Sequence, residues 1–325
     1  MAGISIGVFG PSACVSSALL VAASLGDAAD MWQPPRGAFL VCVDGSAAAL
    51  GAVRWAARDA ALQNAPLTLV HLSDAPLPEW LAAGGRQRQG DRTDDVIDAA
   101  VRVAEVSADG YGPLQIDTKV FNSSPIPTLV DLSAQVEMVV VGYRGHGGVS
   151  ARGGLGSVSS ALVYHAQCPV AVVHDDQTDI GGAAWAPVLV GIDGSPASEA
   201  ATAIAFSEAA RRGVGLVALH AWTEPWVSSS RPSFQDSKWD AQLSEEEESL
   251  AERLAGWHER YPDVPITRTI EIGDPARCLI EASKRAQLLV VGSHGCSWLR
   301  GKLLGSVGAA AVNKAKVPVI VARQP

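Results

Sequence analysis

The sequence predicts an α/β fold with a doubly wound parallel sheet in each of two tandem domains. Three observations carry this. Short apolar, β-branched runs alternate with longer stretches of helical spacing. Those runs are continuously apolar, as in parallel strands covered on both faces. The whole pattern then occurs twice. Val41-Cys42-Val43-Asp44-Gly45-Ser46 returns as Val190-Gly191-Ile192-Asp193-Gly194-Ser195, and Val70-His71 as Leu219-His220, both 149 residues on. Val139–Gly142 returns as Leu289–Gly292 at 150, while Leu155–Val158 and Pro169–Val172 return as Leu304–Val307 and Pro318–Val321 at 149. A period of this length exceeds any solenoid unit, so each copy is a complete domain.

In the first copy, Ala38–Val43 reads as a strand ending on Asp44. Ala47–Gln63 reads as a helix, with Leu50, Val53, Ala57, Ala60 and Ala61 on one side. Leu67–Leu72, Gln115–Phe121, Met138–Gly142 and Val170–Val173 read as strands; Asp94–Ala108, Ile126–Gln135 and Val158–His165 read as helices. The second copy repeats this. Its strands are Val188–Ile192, Leu216–Ala221, Ile266–Glu271, Leu288–Gly292 and Val319–Ala322. Its helices are Ser198–Arg211, Ser244–Tyr261, Ala276–Ala286 and Val307–Ala315. Right-handed crossovers wind each sheet on both faces. Pro76–Asp91 and Thr223–Asp240 are expected to be irregular inserts after the second strand of each copy, of the kind that form lids or mobile segments. Glu245–Glu248 reads as the solvated first turn of a helix with Ser244 as N-cap.

The expected boundaries are a poorly ordered leader over 1–35, domains over 36–175 and 187–325, and a linker over 176–186. Met1–Leu25 is apolar and uncharged, but the first basic residue of the chain is Arg36, so the stretch lacks the basic start of a secretion signal. Gly10-Pro11-Ser12 and Ser16-Ser17 interrupt it, against a membrane span. A net charge of −9 without a basic cluster disfavours nucleic acid as a partner. Five cysteines without Cys-x-x-Cys spacing fit a reducing, cytoplasmic setting better than a disulfide framework or a zinc site.

In an open parallel sheet, ligands bind beyond the carboxyl ends of the strands. Three features of each copy converge there: the Asp ending the first strand, the glycine-rich loop after the fourth, and a Gly-Ser pair opening the next helix. In the second copy the loop runs Gly292-Ser293-His294-Gly295, then nine residues, then Gly305-Ser306. Free N–H groups and the positive dipole end at a helix start make an anion site. Ser306 adds a hydroxyl there, and Arg300 and Lys302 lie within the loop to offset phosphate charge. Asp193 suits a ribose hydroxyl. A glycine turn followed by an ordinary N-cap explains one such loop equally well; two in the same topological slot weaken that reading.

The glycine motif after a Val-rich strand, with Val-x-Val/Ile-Asp-Gly-Ser at each domain start, resembles the universal stress protein family. The likeness covers both copies, as in the tandem-domain, ATP-binding type found in actinobacteria. It implies two flavodoxin-like, Rossmann-like sheets of strand order 3-2-1-4-5, paired through their last strands around a pseudo-two-fold axis. It implies ATP, with Mg²⁺ brought by the nucleotide. The adenine and ribose side would be Asp44 and Leu72, then Asp193 and Ala221. The phosphate side would be Gly142, Gly145, Gly156, Ser157 and Val158, then Gly292, Gly295, Gly305, Ser306 and Val307. It further implies a stress-response regulator acting through nucleotide-dependent conformation, as a homodimer or with a regulatory protein partner. A slow ATPase and a non-binding scaffold are the alternatives.

The first copy departs from the pattern. Ten residues separate Gly145 from Gly156, and Arg152 is the one cation among them, so its site is expected to bind nucleotide less tightly. His71 and His220 read as hydrogen-bonded histidines at strand ends. His146 and His294 lie within reach of phosphate, although exposed loop positions explain them as simply. Cys296 shares that loop and carries at most a minor redox case. No Walker Gly-Lys-Ser/Thr, metal-ligand cluster or repeated triad points to fast turnover.

Overall fold

A run such as Met138-Val139-Val140-Val141 has no polar side to turn toward water, and it lies in the middle of a sheet with helices on both faces. The computed structural model describes residues 32–73, 86–145, 154–174, 185–222, 236–295 and 304–323. The first half runs β1 (Phe39–Cys42), α1 (Ala47–Gln63), β2 (Leu67–Ser73), α2 (Arg86–Ala108), β3 (Ile116–Asn122), α3 (Pro125–Leu132), β4 (Met138–Gly142), α4 (Ser157–His165) and β5 (Val170–Val173). The second half repeats it as β6 (Val188–Gly191), α5 (Pro196–Arg212), β7 (Leu216–Trp222), α6 (Asp236–Arg260), β8 (Ile266–Ile272), α7 (Pro275–Ser283), β9 (Leu288–Gly292), α8 (Ser306–Lys314) and β10 (Val319–Ala322).

All ten strands form one sheet, in the order β3-β2-β1-β4-β5-β10-β9-β6-β7-β8. Each half therefore has the expected 3-2-1-4-5 order. The join is the one antiparallel pairing among the described residues, with Val319 opposite Val172 and Val321 opposite Val170. β4, β5 and β10 are buried along their whole length, whereas β3 and β8 at the rims alternate with exposed positions.

Both first helices start alike. Ser46 Oγ accepts from Ala49 N and Ser195 Oγ from Ser198 N, each at 3.1 Å. Asn64 and Gly213 end them in the left-handed conformation. These two helices also carry a buried ionic cluster across the join. Arg212 donates to Asp59 Oδ1 at 2.5 Å and to Glu208 Oε2 at 3.0 Å, its guanidinium 5.7 Å from the centre of the Trp55 ring. Gln63 reaches both carboxylates. Asp59 and Glu208 are equivalent positions of the repeat, as are Gln63 and Arg212.

Two expectations need correction. The helices after the second strands begin at Arg86 and Asp236, so the ends of both expected inserts are helical. Ser244 consequently lies inside α6 and is not its N-cap. The start of α2, residues 86–92, offers no apolar spacing to mark it, and at the start of α6 Trp239 is the one large apolar residue before Leu243, although polar residues form helix readily. The expected leader up to residue 31, the linker up to residue 184, and Cys14, His146, Arg152, Cys296, Arg300 and Lys302 lie outside the described residues. No described helix is long and apolar enough to cross a membrane.

Candidate functional site

Asp193 leaves β6 into a tight turn in which Gly194 takes a φ of +76°, a conformation costly for other residues. Its Oδ1 accepts from Ser195 N at 2.9 Å. Its Oδ2 faces the glycine loop after β9, since a Cβ on Gly295 would lie 2.8 Å from it. The first half repeats this turn. Gly45 has φ +82°, Asp44 Oδ1 accepts from Ser46 N at 2.9 Å, and a Cβ on Gly145 would collide with Asp44 Oδ2.

The strand ends that deliver these aspartates are braced by the repeated histidines. Nδ1 of His71 donates to the Val43 carbonyl at 2.8 Å, and Nδ1 of His220 to the Ile192 carbonyl at 2.6 Å. His220 also meets Glu246 at 3.4 Å through Nε2. Both histidines are thus hydrogen-bonded at strand ends, as the sequence suggested, and one residue of the acidic run has a partner on β7.

The glycines divide into two kinds. Gly142 and Gly292 end β4 and β9 against the first turns of α1 and α5. A Cβ there would lie 2.6 Å from the Ala48 carbonyl carbon and 2.8 Å from that of Ala197. Their smallness is used in helix packing. Gly156 and Gly305 are the N-caps of α4 and α8, with φ of −61° and −63°, and a Cβ on either meets nothing closer than 3.5 Å. Gly156 N donates to the Tyr143 carbonyl at 2.9 Å, and Gly305 N to the Ser293 carbonyl at 2.8 Å. These bonds draw each loop back over its own start. Ser157 and Ser306 then open the helices, exposed, with Val158 and Val307 next. Neither N-cap glycine offers a side-chain acceptor, so the first-turn N–H groups stay available to an anion.

In the second half these pieces enclose a crevice of about 200 Å³. Asp193, Ala221, Gly292 and Gly295 line one part of it, and Gly305, Ser306 and Val307 another. All seven candidate residues of that half therefore meet in one place. Ile192, Leu219, Leu279 and Val291 add an apolar wall, and Pro275 opens the neighbouring α7 beside it. The sequence reading passed over these; the register that places Leu279 below Gly191 is a tertiary fact. His294 also lines the crevice, half-buried rather than an exposed loop residue, with Nδ1 2.9 Å from Ser293 Oγ. That hydroxyl–imidazole pair is a poor nucleophile for a substrate, because Ser293 is only 1 % exposed. A larger groove of about 720 Å³ runs along α7 beside β8, but its lining holds none of the glycine-loop residues.

In the first half Asp44, Gly145 and Gly156 converge in the same way, while Leu72 lies at the carboxyl end of β2 opposite Phe121. Asp44 is exposed, however, where Asp193 is half-buried. Tyr143 and Arg144 stand where the second half has Ser293 and His294. Arg144 donates to the Gly154 carbonyl at 3.2 Å and lies 5.3 Å from the centre of the Tyr143 ring. Desolvation first, and then the Asp44 carboxylate, push the Cys42 thiol up to about 12, so it stays protonated. Among the described residues no group of three or more His, Cys, Asp or Glu is placed to hold a metal ion.

The sequence model of the universal stress protein family matches residues 36–174 and 185–323. Universal stress protein Rv2005c of Mycobacterium tuberculosis is 49 % identical over 289 residues, covering 88 % of this chain and 96 % of that protein. Universal stress protein Rv2623 of the same organism is 47 % identical with the same coverage. The crystal structure of a universal stress protein from Archaeoglobus fulgidus superimposes with a TM-score of 0.63 at 17 % identity, over 90 % of this chain and all of that one. The chain thus belongs to the universal stress protein family, with two tandem domains of that family in a single sheet.

Proposed function

We propose that the chain binds ATP at the carboxyl ends of its two half-sheets and acts as a nucleotide-dependent regulator, with ATP as a resident ligand rather than a rapidly consumed substrate. The observation that carries this reading is the second-half crevice, where an aspartate, two loop glycines and an uncapped helix start meet beside an apolar wall. Each part suits one part of the ligand. The wall formed by Ile192, Leu219 and Leu279 suits a base. Asp193, whose carboxylate lines the crevice, accepts from ribose hydroxyls. The first turn of α8 and Ser306 donate to phosphate. A volume of about 200 Å³ is below the ~300 Å³ at which pockets enclose whole ligands, so part of a nucleotide would project from it. Any Mg²⁺ would come with the phosphates.

Regulation without turnover requires two conformations that differ in nucleotide affinity. A homodimer or a protein partner belongs to the same proposal. Either must use surfaces other than the β5 and β10 edges, which are already paired with each other. The test is to denature protein purified without added ligand and identify released small molecules by mass spectrometry. ATP at one or two equivalents per chain supports the reading. ADP alone after a short incubation with ATP supports a hydrolase, and no nucleotide supports a scaffold.

A further inference from the structure

The proposed nucleotide sites lie at the N-termini of α4 and α8; the C-termini of these helices are held by the opposite half. The cause is the antiparallel join. A chain leaving β5 runs past the start of β10, where α8 has just ended, and a chain leaving β10 runs past the start of β5, where α4 has just ended. His174 and Arg323 are the residues that follow the two strands, 149 positions apart and therefore equivalent in the repeat.

Arg323 donates to the Leu162 carbonyl at 3.4 Å and to the Val163 carbonyl, in the last turns of α4. Nε2 of His174 donates to the Val312 carbonyl of α8 at 3.1 Å. Tyr143 strengthens the second contact. Its ring stacks on His174 with centroids 4.5 Å apart, and its hydroxyl donates to Asn313 in the last turn of α8 at 3.4 Å. The Tyr143 carbonyl meanwhile accepts from Gly156 N, the N-cap of α4. One residue thus touches the start of one cradle helix and the end of the other. Ser293, its counterpart, has no ring to do the same.

Each helix has nine residues, hence is about 13 Å long at ~1.5 Å per residue. Over so few turns a shift at one end moves the other. A cation at the C-terminus and an anion at the N-terminus are also favoured by the same helix dipole. We propose that Arg323 is a positioning residue for the first-half nucleotide site, and that His174 with Tyr143 plays this part for the second-half site, so that filling one site changes the affinity of the other. The inference rests on the nucleotide reading above. The coupling is reciprocal by linkage.

The experiment uses the full chain and ATP titrated by calorimetry. In Gly305→Asp protein only the first-half site remains. Adding Arg323→Met there weakens ATP about fivefold, at the low end of ordinary coupling, and Arg323→Lys recovers most of the loss. In Gly156→Asp protein, which keeps the second-half site, Arg323→Met leaves affinity within about twofold, because the effect crosses halves and Arg323 spares its own. Equal weakening of both sites, or no change at the first, overturns the proposal. If neither parent takes up ATP, the nucleotide reading falls separately. Amide exchange in the first turn of α4 then decides the positioning role. It quickens in Arg323→Met and returns to normal in Arg323→Lys if Arg323 sets that helix, and unchanged exchange refutes it.

Discussion

The two halves use one plan but finish it differently. The second half buries part of Asp193, places Ser293 and His294 after Gly292, and closes a crevice. The first half leaves Asp44 exposed and places Tyr143 and Arg144 after Gly142, both already engaged elsewhere. Tyr143 faces α8 rather than its own site, and Arg144 spends its Nε on a loop carbonyl. Duplication therefore preserved the backbone cradle and let the side chains around it diverge. One half closes a crevice around its glycine loop, and the other ties its loop residues into the join between halves.

The largest expected effect separates the two kinds of glycine. Gly142→Ala and Gly292→Ala each force a Cβ against helix backbone, and should cost about 1–3 kcal/mol, read as a lowered melting temperature. Gly156→Ala and Gly305→Ala make only ordinary van der Waals contacts at an ordinary φ and should melt with the wild type. Equal losses at all four positions would break the distinction.

Next comes the aspartate. Asp193→Asn keeps an oxygen for Ser195 N but removes the charge, and should weaken ATP at the second-half site by about tenfold, or ~1.4 kcal/mol. Asp44→Asn should cost less, because exposure to water screens that carboxylate. Calorimetric titration checks both, and an unchanged affinity in Asp193→Asn would remove the ribose assignment.

A further effect, read as a slope against pH, concerns the cluster at the join. Burial, then the Glu208 charge, push Asp59 up to about 8 against the pull of Arg212. Burial also works against a charged Glu208, but Arg212 and Arg211 outweigh it and hold that carboxyl below its usual range. An unfolded aspartate releases its proton near pH ~3.9, so between there and about 8 the folded chain holds more protons than the unfolded one. Asp59 therefore lowers stability as pH rises through that window, by at most ~1.4 kcal/mol per pH unit. Glu208 has the opposite sign and withdraws stability only as acid reaches the carboxylate range. Asp59→Asn should flatten the decline between about pH 5 and 8, measured from urea midpoints. A slope identical to the wild type would contradict the assignment.

Much of this was legible in the sequence because the repeat exposes it. The strand order followed from family likeness, and the strands themselves from continuous apolar runs such as Val139–Val141. The convergence of Asp193 with Gly295 and Gly305 followed from the rule that ligands sit at the carboxyl ends of parallel strands. What stayed hidden has a common cause. Asp59 and Arg212 are far apart in sequence and meet only across the join, and so do Arg323 and Val163. No local spacing signals a contact between halves. The early starts of α2 and α6 were hidden for another reason, since the stretch 86–92 carries no apolar residue and Trp239 stands apart from the apolar spacing that marks the rest of α6.

The central claim is that each helix start holds a nucleotide and that the second half holds it more tightly. ATP titrations of Gly156→Asp and Gly305→Asp, run beside the wild type, test it most directly. An aspartate Cβ at either N-cap makes only ordinary contacts, and its carboxylate occupies the first-turn N–H groups and repels phosphate, so the fold should survive while that site is lost. The account predicts that Gly305→Asp abolishes the tighter phase and leaves the weaker one. Loss of the tighter phase in Gly156→Asp instead, or wild-type titrations in both, would contradict it.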